Sequence, residues 1–429
     1  MRLAGRGAPL FHLGGEMLSM RRREFVTGLA GAAYGKDVGV ARRVFLRSPG
    51  KGIAVMAFAY YARAGGDEMV SIEQRWSRSD TIDVAYYRRS ADNGKTWSAP
   101  VEKKTGERRA GGMLRRHLRG PWADPLSGRT VEFWVEGVLP TDDPLEGMRQ
   151  WNIYYTVDGG AVGQVIQRGA GFDARHPLPG VYAGKNAVML GDNSCVPLAR
   201  RDGAVLLPVE ISPLGEDGQL YNPAGGYTYT DAAVVIGRWR GGDLEWEMGQ
   251  AVKGDPARST RGMVEPTLAE LADGRILMVM RGSNDRKPEL PAHKWASWSP
   301  DGGRTWTEPK PWTYSDGEAF YSPSACSQLL KHSSGRLFWL GNITRANPKG
   351  NRPRYPFQIG EVDRGTGLLK RASVRVIDDR REGENEILTL SNFYAREDRK
   401  TAEVVVHMTR LFALPDGWEG DAMEYRVNV

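Results

Sequence analysis

Two octapeptides constrain this chain more than any other feature. Ser90–Trp97 reads SADNGKTW and Ser299–Trp306 reads SPDGGRTW, so both fit S-x-D-x-G-x-T-W. A second periodicity surrounds them. A short strand, a two- to three-residue polar or glycine turn and an apolar return strand recur about Gly52, Gly128, Gly203, Gly274 and Gly335, with Arg399 in place of glycine in a sixth copy. The intervals run from 61 to 76 residues. Glycine-containing tight turns between alternating strands signal β-hairpins. Six hairpins so spaced leave room for two more strands in each unit. Six four-stranded antiparallel sheets set radially make a six-bladed β-propeller, an all-β fold. Each octapeptide follows its hairpin by about one strand, at the turn between strands three and four. There the aspartate accepts N–H groups of its own turn, the glycine takes backbone angles other residues avoid, and the tryptophan wedges against the neighbouring sheet. Thr156–Gly163 (TVDGGAVG) and Val362–Gly367 (VDRGTG) read as degenerate copies.

Composition narrows the function classes. The 429 residues carry a net charge of +7, but residues 1–45 hold eight Lys/Arg against three acids, leaving the body near neutral. A nucleic-acid footprint needs a basic face, and none is expected here. No apolar run reaches the roughly 18 residues of a membrane helix. The two cysteines, Cys195 and Cys326, make no disulfide framework. The basic excess sits in SMRRREFVTGLAGAA (residues 19–33), where Arg22-Arg23 precedes a short apolar stretch. That segment resembles a twin-arginine export signal, with a start at Met17 or Met20 as an alternative to Met1. Residues 1–38 are therefore expected to be a leader. Residues 39–429 are expected to be one propeller domain in an exported, periplasmic or extracellular protein.

The octapeptide is the Asp-box, or bacterial-neuraminidase, repeat, and over roughly residues 42–420 the chain resembles the sialidase superfamily of six-bladed propellers. The motif identifies the fold and says little about chemistry. The resemblance also implies a site. Sialidases clamp a substrate carboxylate with three arginines, whose planar forks suit that partner. In the family a glutamate opens blade four and an arginine comes sixteen residues later. VEPTLAELADGRILMVMR supplies Glu265 and Arg281 at that spacing. Nine residues before each hairpin turn lie Arg43, Arg119, Ser194, Glu265, Cys326 and Leu390, expected at the funnel ends of the inner strands. Arg43 is the first arginine by that ruler, with Arg42 and Arg47 as rivals. The third is Arg354 or Arg352. The acid/base aspartate corresponds to Asp80, with Asp83 second.

The resemblance breaks at the nucleophile. The family uses a tyrosine at the start of blade six, and sialidases are an exception to the two-carboxylate rule for that reason. Here Leu390 precedes Ser391 in TLSNF. Tyr321, in FYSPSACSQLL, is the other candidate, in reach of Glu265 from the adjacent blade. Glu210 and His407 should end second strands at the same cavity, and His407 is a possible base for proton abstraction beside a uronate. No metal or nucleotide motif is present, so no cofactor is expected. The expected activity is sialidase-type hydrolysis of an anionic glycan. The alternatives are a lyase or other glycosidase acting on uronates, and a non-catalytic carbohydrate-binding propeller.

Overall fold

The second strands of the hairpins about Gly203, Gly274 and Gly335 are largely apolar on both faces, so each needs cover on two sides. The computed structural model describes residues 39–165, 181–182, 184–414 and 417–429. The expected leader, residues 1–38, lies outside them. The described residues fold into six antiparallel sheets arranged as a six-bladed propeller. Blade one is Ala54–Tyr61, Met69–Trp76, Val84–Ser90 and Val101–Lys103; blade four is Val264–Glu270, Ile276–Arg281, Lys294–Ser299 and Lys310–Pro311. Blade five is Gln328–Lys331, Leu337–Asn342, Phe357–Val362 and Arg375–Asp378. Blades two (Gly106–Gln164) and three (Val188–Met248) carry five strands rather than four.

Blade six joins Thr389–Glu397, Val404–Leu411 and Ala422–Val427 to Val40–Leu46. Val40–Leu46 runs antiparallel to Ala422–Val427, with Val40 opposite Val427, so the two ends of the domain share a sheet. This corrects one expectation. Gly52 does not turn a hairpin; it lies in the crossover from the outer strand of blade six to the inner strand of blade one. Blade one's hairpin turn is at 62–68, closed by the Ala62 N–H donating to the Glu68 carbonyl. Both segments read as strand, glycine turn and strand; only the long-range partner tells them apart.

The apolar layers lie between blades. Leu206, Val234 and Ile236 of blade three pack on Met278 and Met280 of blade four. Leu277 and Val279 on the other face meet Trp312 and Trp339. That is why Ile276–Arg281 and Leu337–Asn342 are buried throughout. Side chains also stitch the inner strands around the axis. Thr267 Oγ1 accepts from the Leu329 N–H, Gln328 both donates to and accepts from Ala395, and Arg396 Nε donates to the Ala59 carbonyl.

The two octapeptides are near copies in three dimensions. Asp92 Oδ1 accepts from the N–H groups of Lys95 and Thr96, and its Oδ2 from the Thr96 hydroxyl. Asp301 does the same with Arg304 and Thr305. The serine hydroxyl donates to the aspartate and accepts the glycine N–H in both. Trp97 packs edge-on to Phe45, and Trp306 joins the layer between blades three and four. Both are partly buried. Of the degenerate copies, Asp363 bonds within its own turn, whereas Asp158 accepts from Thr130 on the neighbouring hairpin. No helix among the described residues is long and apolar enough to cross a membrane.

Candidate functional site

Glu265 is the second residue of blade four's inner strand, and the ladder to Ile276–Arg281 slips between Val264 and Thr267. Pro266 cannot donate to a ladder. Glu265 itself has φ of +48°. That is costly for a side-chain-bearing residue, about 1–3 kcal/mol, and persists only where the surroundings enforce it. The bulge sets the Glu265 carboxylate against Arg281, with Oε2 at 2.9 Å from Nη1. Arg281 Nε donates to the Ser324 hydroxyl at 2.8 Å, and Arg354 Nη2 donates to the Ser324 carbonyl at 2.8 Å. One serine thus spaces two guanidinium groups.

A third arginine completes the group. Arg261, four residues before Glu265, donates to Thr228 and has its guanidinium 5.7 Å from the Tyr227 ring centre. Burial raises the Glu265 carboxyl, but Arg281, then Arg354 and Lys294, outweigh it and hold the group below its usual range. Burial and then the Arg281 charge bring both Arg261 and Arg354 down to about 10. Lys294 lies opposite Arg281 in the ladder, is fully buried and donates to the Ala325 carbonyl. Burial, then Arg281, lowers it to about 7. Several cations thus face the Glu265 carboxylate, and Asp285 also acts on Arg261.

Glu210, at the end of blade three's second strand, is buried behind Glu265. Its Oε1 accepts the Glu265 N–H at 2.9 Å. Burial, then the Glu265 charge, raises its carboxyl to about 7 against the pull of that N–H, Arg281 and Arg261. The two carboxyls shift in opposite directions because they share one buried site and only Glu265 has the Arg281 partner.

The residues named from sequence divide. Glu265, Arg281 and Arg354 come together. Arg43 does not: it lies on the outer strand of blade six and forks onto Glu424 at 3.0 and 2.9 Å. Its rivals are equally remote, with Arg42 on Asp378 and Arg47 on Asp421. Asp80 is exposed on the 77–83 loop of blade one and accepts the Tyr227 phenol at 3.1 Å, which links it through Tyr227 to Arg261. Asp83 instead accepts the Ser77 N–H in its own loop. Tyr321 stacks on His293 with ring centres 6.4 Å apart, and no hydrogen bond joins it to Glu265. Leu390 is fully buried, its N–H on the Arg354 carbonyl. His407 is also sealed, against Phe45, and burial drops its pKa to about 3, which rules it out as an exposed base. Arg261 and Lys294 were missed because the nine-residue ruler samples only strand starts. Lys294 was findable as the cross-strand partner of Arg281. No three His, Cys, Asp or Glu side chains among the described residues come together as a metal site.

Residues 167–394 match the family model of the BNR repeat-like domain. The chain belongs to the BNR repeat-like domain family. No curated protein matches it by sequence. Its fold matches a crystal structure of a protein of unknown function from Dyadobacter fermentans, with a TM-score of 0.57 at 13% identity, over 91% of this chain and 100% of that one. It matches the NanB sialidase from Streptococcus pneumoniae with a TM-score of 0.56 at 12% identity, over 90% and 70%. It matches an α-L-arabinanase from Penicillium chrysogenum, complexed with arabinobiose, with a TM-score of 0.51 at 14% identity, over 89% and 97%. At such identities the likeness is one of fold. One of these neighbours is a sialidase and another an arabinanase, so a shared fold does not assign a function, which must be argued from the side chains.

Proposed function

We propose that this BNR-family protein is a glycoside hydrolase acting on a glycan that carries a carboxylate. The supporting observation is the charge at the funnel: Arg261, Arg281 and Arg354 surround Glu265, and each senses its charge. Buried cations in excess of their counter-ions are costly unless a ligand completes them. An acidic sugar does so, with its carboxylate on the guanidinium forks. Glu265, ionised at neutral pH, is the general base for a water attacking the anomeric carbon. Asp80 protonates the departing glycosidic oxygen. The water proton ends on Glu265 and the Asp80 proton on the leaving group, so one displacement balances.

This departs from the expected sialidase-type route. That route needs a phenol beside the glutamate; Leu390 has none and the Tyr321 ring stacks on His293, which supports a different route. The same observation favours a second reading, β-elimination on a uronate. There the arginines draw charge from the substrate carboxylate and acidify the neighbouring C–H; Glu265 takes that proton, the C–O bond at the next carbon breaks as the C=C bond forms, and the departing oxygen takes a proton from solvent. A non-catalytic sugar-binding role is the outcome if neither reaction occurs. The twin-arginine-like sequence within residues 1–38 supports export of the protein. Purified protein incubated with sialosides and with uronate-containing glycans separates the readings. New reducing ends without ultraviolet absorbance support hydrolysis, a conjugated double bond supports elimination, and binding without product supports the third. No binding and no product would refute the acidic-sugar assignment.

A further inference from the structure

Glu265 is doubly out of place. It bears a side chain yet sits at φ +48°, and it precedes Pro266, a context that pushes a residue toward extended backbone. Something must hold it there. The one polar group on its N–H is Glu210 Oε1, at 2.9 Å.

The Thr230 hydroxyl is the neighbour of the other Glu210 oxygen. Thr230 Oγ1 lies 3.0 Å from the Met263 carbonyl and 3.3 Å from Glu210 Oε2. A hydroxyl has a single proton to give, and a carbonyl can only accept. One proton cannot serve both acceptors at once; where Thr230 gives it to Met263, a proton on Glu210 Oε2 completes the second contact. With Glu210 neutral the chain runs Glu210 Oε2–H to Thr230, Thr230 O–H to Met263, and Glu265 N–H to Glu210 Oε1. Each of these contacts is satisfied by a neutral Glu210. Met263 lies two residues before Glu265, so the chain braces the peptide on both sides of the bulge.

We propose that Glu210 is a positioning residue: as a neutral carboxylic acid it braces the left-handed Glu265 peptide that sets the Glu265 carboxylate against Arg281. It rests on the acidic-sugar reading only for what Glu265 then does. The groups that face Glu210 are Glu265 from blade four's inner strand, Arg281 from its second strand, Arg261 from the preceding loop and Cys195 from blade three. The elevation of Glu210 to about 7 agrees with the hydrogen-bond count. Above that pH a second negative charge forms beside Glu265, and the Thr230 link loses its donor.

The test needs no sugar, so its failure is distinct from failure of the hydrolase reading. Difference infrared spectra of the full chain are taken across neutral pH for wild type and Glu210→Gln. Wild type should show a protonated-carboxyl C=O band that fades as pH rises through about 7, and the Glu210→Gln variant should lack that band. Asp231, raised by burial to about 6, contributes to both proteins and cancels in the comparison. Crystal structures test the brace. Gln keeps an acceptor for the Glu265 N–H and a donor for Thr230, so Glu265 should stay left-handed and paired with Arg281. Glu210→Leu keeps neither, and Glu265 should leave that conformation and its ion pair. The proposal is overturned if the titrating band survives in Glu210→Gln, or if Glu210→Leu leaves φ and the pair unchanged. Should Glu210→Leu not fold, the infrared comparison and the Glu210→Gln structure still decide.

Discussion

Replacing Arg281 by methionine asks how much the central ion pair holds in place. Arg281 and Glu265 expose 10% and 13% of their side chains. Removing one partner of a buried pair costs about 3–5 kcal/mol, because the other charge is left unpaired. Arg354 and Lys294 still face Glu265, which argues for the lower end, about 3 kcal/mol. Denaturant unfolding at neutral pH measures the loss. Its pH dependence carries the mechanism. Glu265 has a depressed folded pKa, so its stabilising contribution is present above the unfolded value near 4.5 and is lost as pH falls through the folded value. The deficit of Arg281→Met should therefore be largest near neutrality and shrink in acid. It should also shrink in a Glu265→Gln background, where no charge is stranded, by a coupling above about 1 kcal/mol. A neutral-pH loss under about 1 kcal/mol, unaltered by Glu265→Gln, would show a pair no stronger than a surface one and refute the reasoning.

Arg281→Lys keeps charge but not the fork, and should weaken acidic-sugar binding by about 1.5–3 kcal/mol in calorimetry. Binding should also weaken as pH rises through about 7, since Glu210 gains a negative charge and Lys294 loses a positive one over that range; a profile flat from mild acid to mild base would contradict it. Tyr321→Phe should leave turnover within about twofold in steady-state assays, because the phenol is not bonded to Glu265. Asp301→Ala removes acceptors for Arg304, Thr305 and Ser299. With solvent partly replacing them, it should cost about 1–2 kcal/mol in chemical unfolding.

Local chemistry was legible in the sequence and long-range pairing was not. The serine and aspartate bonds of both Asp-box turns all lie within the eight residues, so their residue types declare them. Glu265 and Arg281 are also near neighbours: they flank one tight hairpin, and Arg281 pairs with Val264 across it. Arg43 failed for the opposite reason. Its strand is defined by Glu424 and its neighbours, 381 residues away, and no local pattern distinguishes it from an inner strand. Arg261 reaches the site from a loop, and Glu210 matters through one N–H of a different blade. His407 was expected at the end of its strand but sits in the middle of Val404–Leu411, which is buried throughout, and the closing strand, through Phe45, seals it.

The central claim is that the funnel is built for a sugar carboxylate. The most direct measurement is a paired titration of wild-type protein with an acidic oligosaccharide and with the same oligosaccharide after reduction of its carboxyl groups to alcohols. Arginine–carboxylate contacts of about 1.5–3 kcal/mol predict that reduction weakens binding by roughly tenfold or more, and that this difference collapses in Arg354→Met. Equal affinity for the two ligands, or a difference that survives loss of Arg354, would contradict the account.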